Sequence, residues 1–199
     1  MHDRLSALLL AAGASRRYGR AKQLETLDGC TLVRRAALTA LDAGLDLIVV
    51  TGAEAALVTA QIDDLPLQHV HNPQWGQGMG TSIACGVRAL QQRVQPPDAI
   101  LIQLADQVLV TATHLRALAA QHLVTPDRII IADHGGTLGP PCLFPHDCFF
   151  ALSQLDGDSG ARRVIEQHPS RLLRVPMPAA AFDVDTPDDL ARVARDERR

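Results

Sequence analysis

Aromatic side chains are scarce in this chain: one Trp, one Tyr and four Phe make up 3% of it. A core must therefore be built from Leu, Val, Ile and Ala, as in strands covered by helices on both faces. Basic charge is not in excess either. Nineteen Lys and Arg face 22 Asp and Glu, a net charge of −3. A nucleic-acid surface needs a broad basic face, so no nucleic-acid partner is expected. Cysteines are few, and Cys30, Cys85, Cys142 and Cys148 form no C-x-x-C pair and have no His-rich spacing; they read as reduced and mostly packed. Long apolar runs are missing as well. The run at residues 5–12 is too short to span a bilayer, and no signal-peptide cleavage region is evident. No membrane partner and a cytoplasmic location are the expectation.

What the chain has is one crowded stretch, Leu8-Leu9-Leu10-Ala11-Ala12-Gly13-Ala14-Ser15-Arg16-Arg17-Tyr18-Gly19-Arg20-Ala21-Lys22-Gln23. An apolar strand over residues 5–12 breaks at Gly13 into small residues and cations, and helical periodicity resumes at Leu32. Four of the seven residues from Arg16 to Lys22 are cationic and none is acidic; without those four the chain would carry −7. Two like charges about 6 Å apart in water repel by roughly 0.7 kcal/mol. A triphosphate would reverse that sign. Glycines let the backbone approach phosphate oxygens, Arg supplies forked donors and Lys a point charge.

Spacing excludes two other phosphate loops. Walker A places four residues between its glycines and then Gly-Lys-Ser/Thr, whereas five residues separate Gly13 from Gly19 and Arg20 follows. The dinucleotide pattern G-x-G-x-x-G is absent from this loop.

With 199 residues, 47% of them hydrophobic, the chain reads as one domain over 1–199. Helix 32–41, strand 46–52, helix 53–62 and strand 67–71 follow the first strand, an alternation that predicts a mostly parallel α/β sheet. His69 and His71 share a strand face but have no third ligand nearby in sequence, and read as edge imidazoles. Gly76, Gly78 and Gly80 lead into a helix expected from Ser82 to about Gln92, with Thr81 or Ser82 as its cap and N–H groups free for an anion or base edge. The strand at residues 98–107 runs into Asp106, at the strand end where open α/β sheets bind ligands; Thr111 or Thr113 is left to cap the helix that follows. After a strand at 128–132, residues 134–145 form a turn and an extended return. Asp156-Gly157-Asp158-Ser159 is a turn with Ser159 as a helix cap. Near the end, Thr186 caps a helix with Pro187 first and Asp188 and Asp189 on its dipole. Asp183 and Asp185, two apart on an extended segment, face the same way and are left over for chemistry.

The first loop, Leu-Ala-Ala-Gly-x-Ser-x-Arg-x-Gly-x-x-Lys, resembles the signature of the MobA-like NTP transferases, and especially their molybdenum-cofactor cytidylyltransferase branch. Four further segments resemble that family in order: Gly78-Met79-Gly80-Thr81-Ser82, Leu104-Ala105-Asp106-Gln107, Gly139-Pro140-Pro141-Cys142-Leu143-Phe144, and Asp183-Val184-Asp185-Thr186-Pro187. The stretch from Gly157 to Arg162 is similar to the family's Gly-Asp-x-Gly-Ala-Arg. Val108 stands where the family usually has Pro.

The resemblance implies a Rossmann-like three-layer α/β/α nucleotidyltransferase fold, with an NTP-binding half over about 1–110 and an acceptor-binding half over about 111–199. Leu10, Ala11, Ala12, Gly13, Ser15, Arg17, Gly19, Lys22, Gly78, Gly80, Thr81 and Ser82 would bind the nucleotide. Asp106, Asp183 and Asp185 would hold Mg²⁺, and Arg17, Lys22, Asp106 and Asp185 would carry catalysis. Gly139, Pro141, Asp158 and Arg162 fall on the acceptor side. The implied reaction moves CMP from CTP to the phosphate of molybdopterin and releases pyrophosphate; Leu-Ala-Ala-Gly rather than Leu-Ala-Gly-Gly favours CTP over GTP. A molybdenum hydroxylase apoenzyme is the implied recipient. Transfer from GTP to molybdopterin, transfer to a sugar or isoprenoid phosphate, an NADPH-dependent oxidoreductase, and a carrier without turnover are the alternatives.

Overall fold

The structure is a computed structural model and describes residues 4–15 and 18–196. The first strand, β1 (Leu5–Ala11), serves two cores because successive side chains point to opposite faces. Ala7, Leu9 and Ala11 join one buried cluster, and Leu8 and Leu10 join the other. The chain continues through β2 (Thr26–Leu27) and β3 (Cys30–Thr31), a small hairpin, then α1 (Leu32–Asp42), β4 (Asp46–Thr51), α2 (Ala55–Thr59), β5 (Gln68–His71), α3 (Met79–Gln91), β6 (Ala99–Leu104) and α4 (Ala112–Val124). It finishes with β7 (Ile129–His134), β8 (Thr137–Pro145), α5 (Phe149–Ser153), α6 (Arg162–Gln167), β9 (Leu172–Pro176) and α7 (Pro187–Asp196).

Seven strands form one sheet in the order β5-β4-β1-β6-β8-β7-β9, and β8 alone among them runs antiparallel to its neighbours. Residues of α1, α2 and α4 cover one face, and residues of α3, α5 and α6 cover the other. This is the mostly parallel three-layer α/β/α architecture expected. The chain leaves β1 through α1 to reach β4 on one side, while β6 lies on β1's other side. Strand order therefore reverses between β1 and β6, which opens a crevice at their carboxyl ends.

Three local expectations are corrected. The helix expected over 53–62 is only α2: Glu54, at a left-handed φ of +54°, starts it late, and beyond Thr59 the N–H groups of Gln61 and Ile62 donate to Val58 O and Thr59 O in i→i+3 turns, which Arg34 Nη1 closes by donating to Gln61 O at 2.9 Å. Helix α3 starts at Met79 rather than Ser82, with Gly78 as its cap. Its early Gly80 N–H is not free for an anion, since it donates to Gly157 O at 2.8 Å. Ser159 does not cap α6; Ala161 holds that position. The Thr186 cap is present: Asp189 N donates to Thr186 Oγ1 at 3.3 Å, and Thr186 N donates to Asp189 Oδ2 at 2.9 Å. His69 and His71 are exposed on the edge strand β5.

Candidate active site

Val184 is fully buried in a small cluster with Tyr18, Leu27, Leu32, Val108 and Val193, and its N–H donates to Asp106 O at 3.0 Å. With Val184 turned inward, its neighbours Asp183 and Asp185 are left to line the cleft above β1 and β6. That one backbone contact brings the last acids of the chain beside the acid after β6. The cleft encloses about 620 Å³.

Lys22 lies on a short 3-10 turn, Lys22–Leu24. Its Nζ is 2.6 Å from Asp106 Oδ2 and 3.1 Å from Asp185 Oδ1. Burial pulls the Lys22 pKa down, but the Asp106 and Asp185 carboxylates outweigh burial and hold it above the usual lysine value. Asp106 Oδ1 is buried and has no hydrogen-bond partner. Asp183 opens onto the cleft, yet the enclosing walls first, and then the Asp106 carboxylate, raise its carboxyl above the ordinary range. Among the described residues no three His, Cys, Asp or Glu side chains group closely enough to hold a metal by themselves. A hard divalent cation does not need such a cage, because Mg²⁺ commonly takes one or two carboxylates and completes its octahedron with substrate phosphates and water. The unpartnered Asp106 oxygen and the repelled Asp183 carboxyl fit that donor set.

The glycine loop leads from β1 to this lysine. A match to the MobA-like NTP transferase domain extends over residues 7–172. The chain belongs to that family. This MobA-like protein is 32% identical to the purine catabolism protein PucB of Bacillus subtilis, with 96% of both chains covered. It is also 32% identical to the nicotine blue oxidoreductase of Paenarthrobacter nicotinovorans over 95% of this chain and 96% of that one. The molybdenum cofactor cytidylyltransferase of Escherichia coli is 24% identical over 93% of each. Among solved structures, a Mycobacterium sp. strain JC1 homologue of Rv0371c superposes with a TM-score of 0.82 at 28% identity and 98% coverage of both chains. Rv0371c of Mycobacterium tuberculosis in complex with manganese gives 0.76 at 27%, covering 96% of this chain and 98% of that one. The protein is thus a nucleotidyltransferase of the MobA-like type.

In this MobA-like site Leu10, Ala11, Ala12, Gly13, Ser15, Lys22, Gly78, Ser82, Asp106, Asp158, Asp183 and Asp185 all line the cleft. Other expected site residues are placed elsewhere. Gly19 sits in an exposed turn at φ +85°. Gly80 packs on the Asp156 backbone, where a Cβ would lie 2.4 Å from Asp156 O. Thr81 is buried and donates to the carbonyls of Gln74 and Gly78 at 3.0 and 2.9 Å. Gly139 and Pro141 belong to β8, away from the cleft lining. Arg162 is exposed and paired with Glu166 at 2.8 Å. Arg17, like Arg16, lies outside the described residues. Arg20 points to Glu25 at 2.5 Å, so both described cations of the loop are met by acids of the chain itself.

Sequence reasoning missed three residues. Gln23 is buried under the glycine loop. Asn72, 2% exposed, donates through Nδ2 to Thr81 Oγ1 and Ser82 Oγ at 2.9 and 3.0 Å and accepts from Gln74 N at 3.0 Å. Its Asn-Pro dipeptide after a strand was the available signal, since Asn side chains hold such turns. Trp75 lines the cleft, and a Cβ at Gly52 would lie 2.5 Å from its Cβ; the only Trp of the chain, set in a glycine-rich loop, was the clue.

Among the described residues no helix is long and apolar enough to cross a membrane.

Proposed function

We propose that this protein transfers CMP from CTP to the phosphate of a molybdopterin-type acceptor, with Mg²⁺ as its divalent cofactor. The observation that carries the proposal is the Lys22 ammonium held between Asp106 and Asp185 at the carboxyl ends of β1 and β6, beside the unpartnered Asp106 oxygen. The identity to the Escherichia coli cytidylyltransferase along 93% of both chains supports the choice of acceptor and base.

In this reaction an acceptor phosphate oxygen attacks the α-phosphorus. The bond from that phosphorus to the bridging oxygen breaks, and pyrophosphate leaves with the electron pair. A phosphate monoester, with its second pKa near 6, is largely ionised at neutral pH and needs no protein nucleophile. Lys22 would neutralise charge on the polyphosphate, and the backbone from Ala11 to Ser15 would cradle it. Asp106 and Asp183, with Asp185 shared with Lys22, would hold the cation. Mg²⁺, when bound, would supply further neutralisation of the triphosphate. Residues up to about 110 would bind the nucleotide, and the later half would receive the acceptor, with Asp158 on its side of the cleft. A molybdenum hydroxylase apoenzyme would take the product.

The test is pyrophosphate release with purified molybdopterin, Mg²⁺ and each NTP in turn. CTP is expected to be preferred; GTP preference, or transfer only to a sugar phosphate, would overturn the assignment. A second reading, reduction of an acceptor by NADPH, rests on the 32% identity to nicotine blue oxidoreductase. NADPH consumption without pyrophosphate release would select it.

A further inference from the structure

Gln23 is 4% exposed, although it follows Lys22 directly on the wall of the cleft. Its amide is engaged at both ends. Nε2 donates to Gly13 O at 2.9 Å and to Ala11 O at 3.4 Å, and Oε1 accepts from Ser15 Oγ at 3.1 Å. One side chain thus holds three points of the segment that leaves β1.

We infer that Gln23 is a positioning residue for polyphosphate binding, which it serves by tethering the Ala11 to Ser15 loop to the turn that carries Lys22. A loop that is to receive an anion must offer N–H groups and keep its carbonyl oxygens turned away, since those oxygens repel phosphate. Gln23 occupies two of these carbonyls from beneath. It also anchors Ser15, whose φ of +52° lies in the left-handed region that a non-glycine residue enters only at a cost. Because Lys22 and Gln23 are consecutive, the same tether sets the distance between loop and ammonium. Only an amide of this length donates twice and accepts once here: Glu would accept only, and Met would fill the space without either.

This inference rests on the proposed chemistry only in requiring that the loop meets a polyphosphate. Calorimetric titration with magnesium tripolyphosphate and with Mg-CTP tests it on wild type, Gln23→Met, Gln23→Glu and Ser15→Ala, together with KM for CTP and for the acceptor. Gln23→Met is expected to weaken both ligands by roughly ten- to a hundredfold, Gln23→Glu further, and Ser15→Ala a few-fold. KM for CTP should rise while KM for the acceptor stays.

Unchanged tripolyphosphate affinity in Gln23→Met would overturn the inference, as would KM values that rise in step for both substrates. If Gln23→Met does not fold, Ser15→Ala carries the test, and wild-type affinity there overturns it. Wild-type protein that binds tripolyphosphate without preferring CTP would overturn the base assignment and leave the role of Gln23 standing. Wild-type protein that binds neither ligand would overturn both.

Discussion

Lys22 donates to Asp185 Oδ1 at 3.1 Å across 163 positions of sequence. The same ammonium lies 2.6 Å from Asp106 Oδ2. The cation that would meet a polyphosphate is thus held by the carboxylates that would meet its metal.

Lys22→Ala should therefore have two separable effects. Turnover is expected to fall by about 10²–10³, the usual cost of removing one preorganised charge donor. Nucleotide-free Mn²⁺ binding, followed by electron paramagnetic resonance, should become tighter, because the competing ammonium is gone. Weaker Mn²⁺ binding would show that Lys22 does not occupy the cation's place.

Asp183→Asn should raise the melting temperature of the metal-free protein at pH 7. The carboxyl's pKa is raised in the folded state by burial and by Asp106, so its stabilising contribution is complete below its unfolded value and is lost as pH rises through the folded one. Asn mimics the protonated form. Melting curves between pH 4 and 7 should show the advantage shrinking toward pH 4, and the mutant should lose much of the Mg²⁺-dependent rise.

Gly80→Ala and Gly76→Ala should differ sharply. A Cβ at Gly80 would meet Asp156 O at 2.4 Å and Asp156 C at 2.8 Å, both backbone, whereas a Cβ at Gly76 meets nothing within 4 Å. Overpacking of this kind costs about 1–3 kcal/mol. Urea denaturation should show that loss for Gly80→Ala alone.

Burial pushes the Cys142 thiol up to about 12, and burial with the Asp147 carboxylate pushes Cys148 up to about 11. Native protein should resist iodoacetamide at these two positions at pH 8, and unfolded protein should not. Stability from these thiols is constant below their unfolded pKa near 9 and falls as pH climbs toward 11 and 12. Cys142 alone should contribute a slope of roughly 1.4 kcal/mol per pH unit in that window.

The sheet was legible because β1, β4 and β6 are mostly apolar runs that lead into Gly13, Gly52 and Asp106, and runs of that length between turn residues have few other solutions. Asp183 and Asp185 were legible as a pair because residues two apart on an extended segment face the same way. The start of α3 was not, because its Gly80 N–H is satisfied by Gly157, a partner from the far half of the chain. Gln23 was invisible for the same reason. Nothing in its neighbourhood marks a glutamine that will turn under a loop ten residues earlier. The shortening of α2 follows from the left-handed Glu54 at its start and the i→i+3 turns after Thr59, backbone choices that override helical periodicity.

The most direct test follows the α-phosphate itself. CTP labelled at the α-phosphorus, incubated with Mg²⁺ and molybdopterin, is expected to yield a labelled dinucleotide and one pyrophosphate per transfer with wild-type protein, and to yield neither at a comparable rate with Asp106→Asn. Full transfer by Asp106→Asn, or label that stays on CTP while NADPH is consumed, would contradict the proposed chemistry.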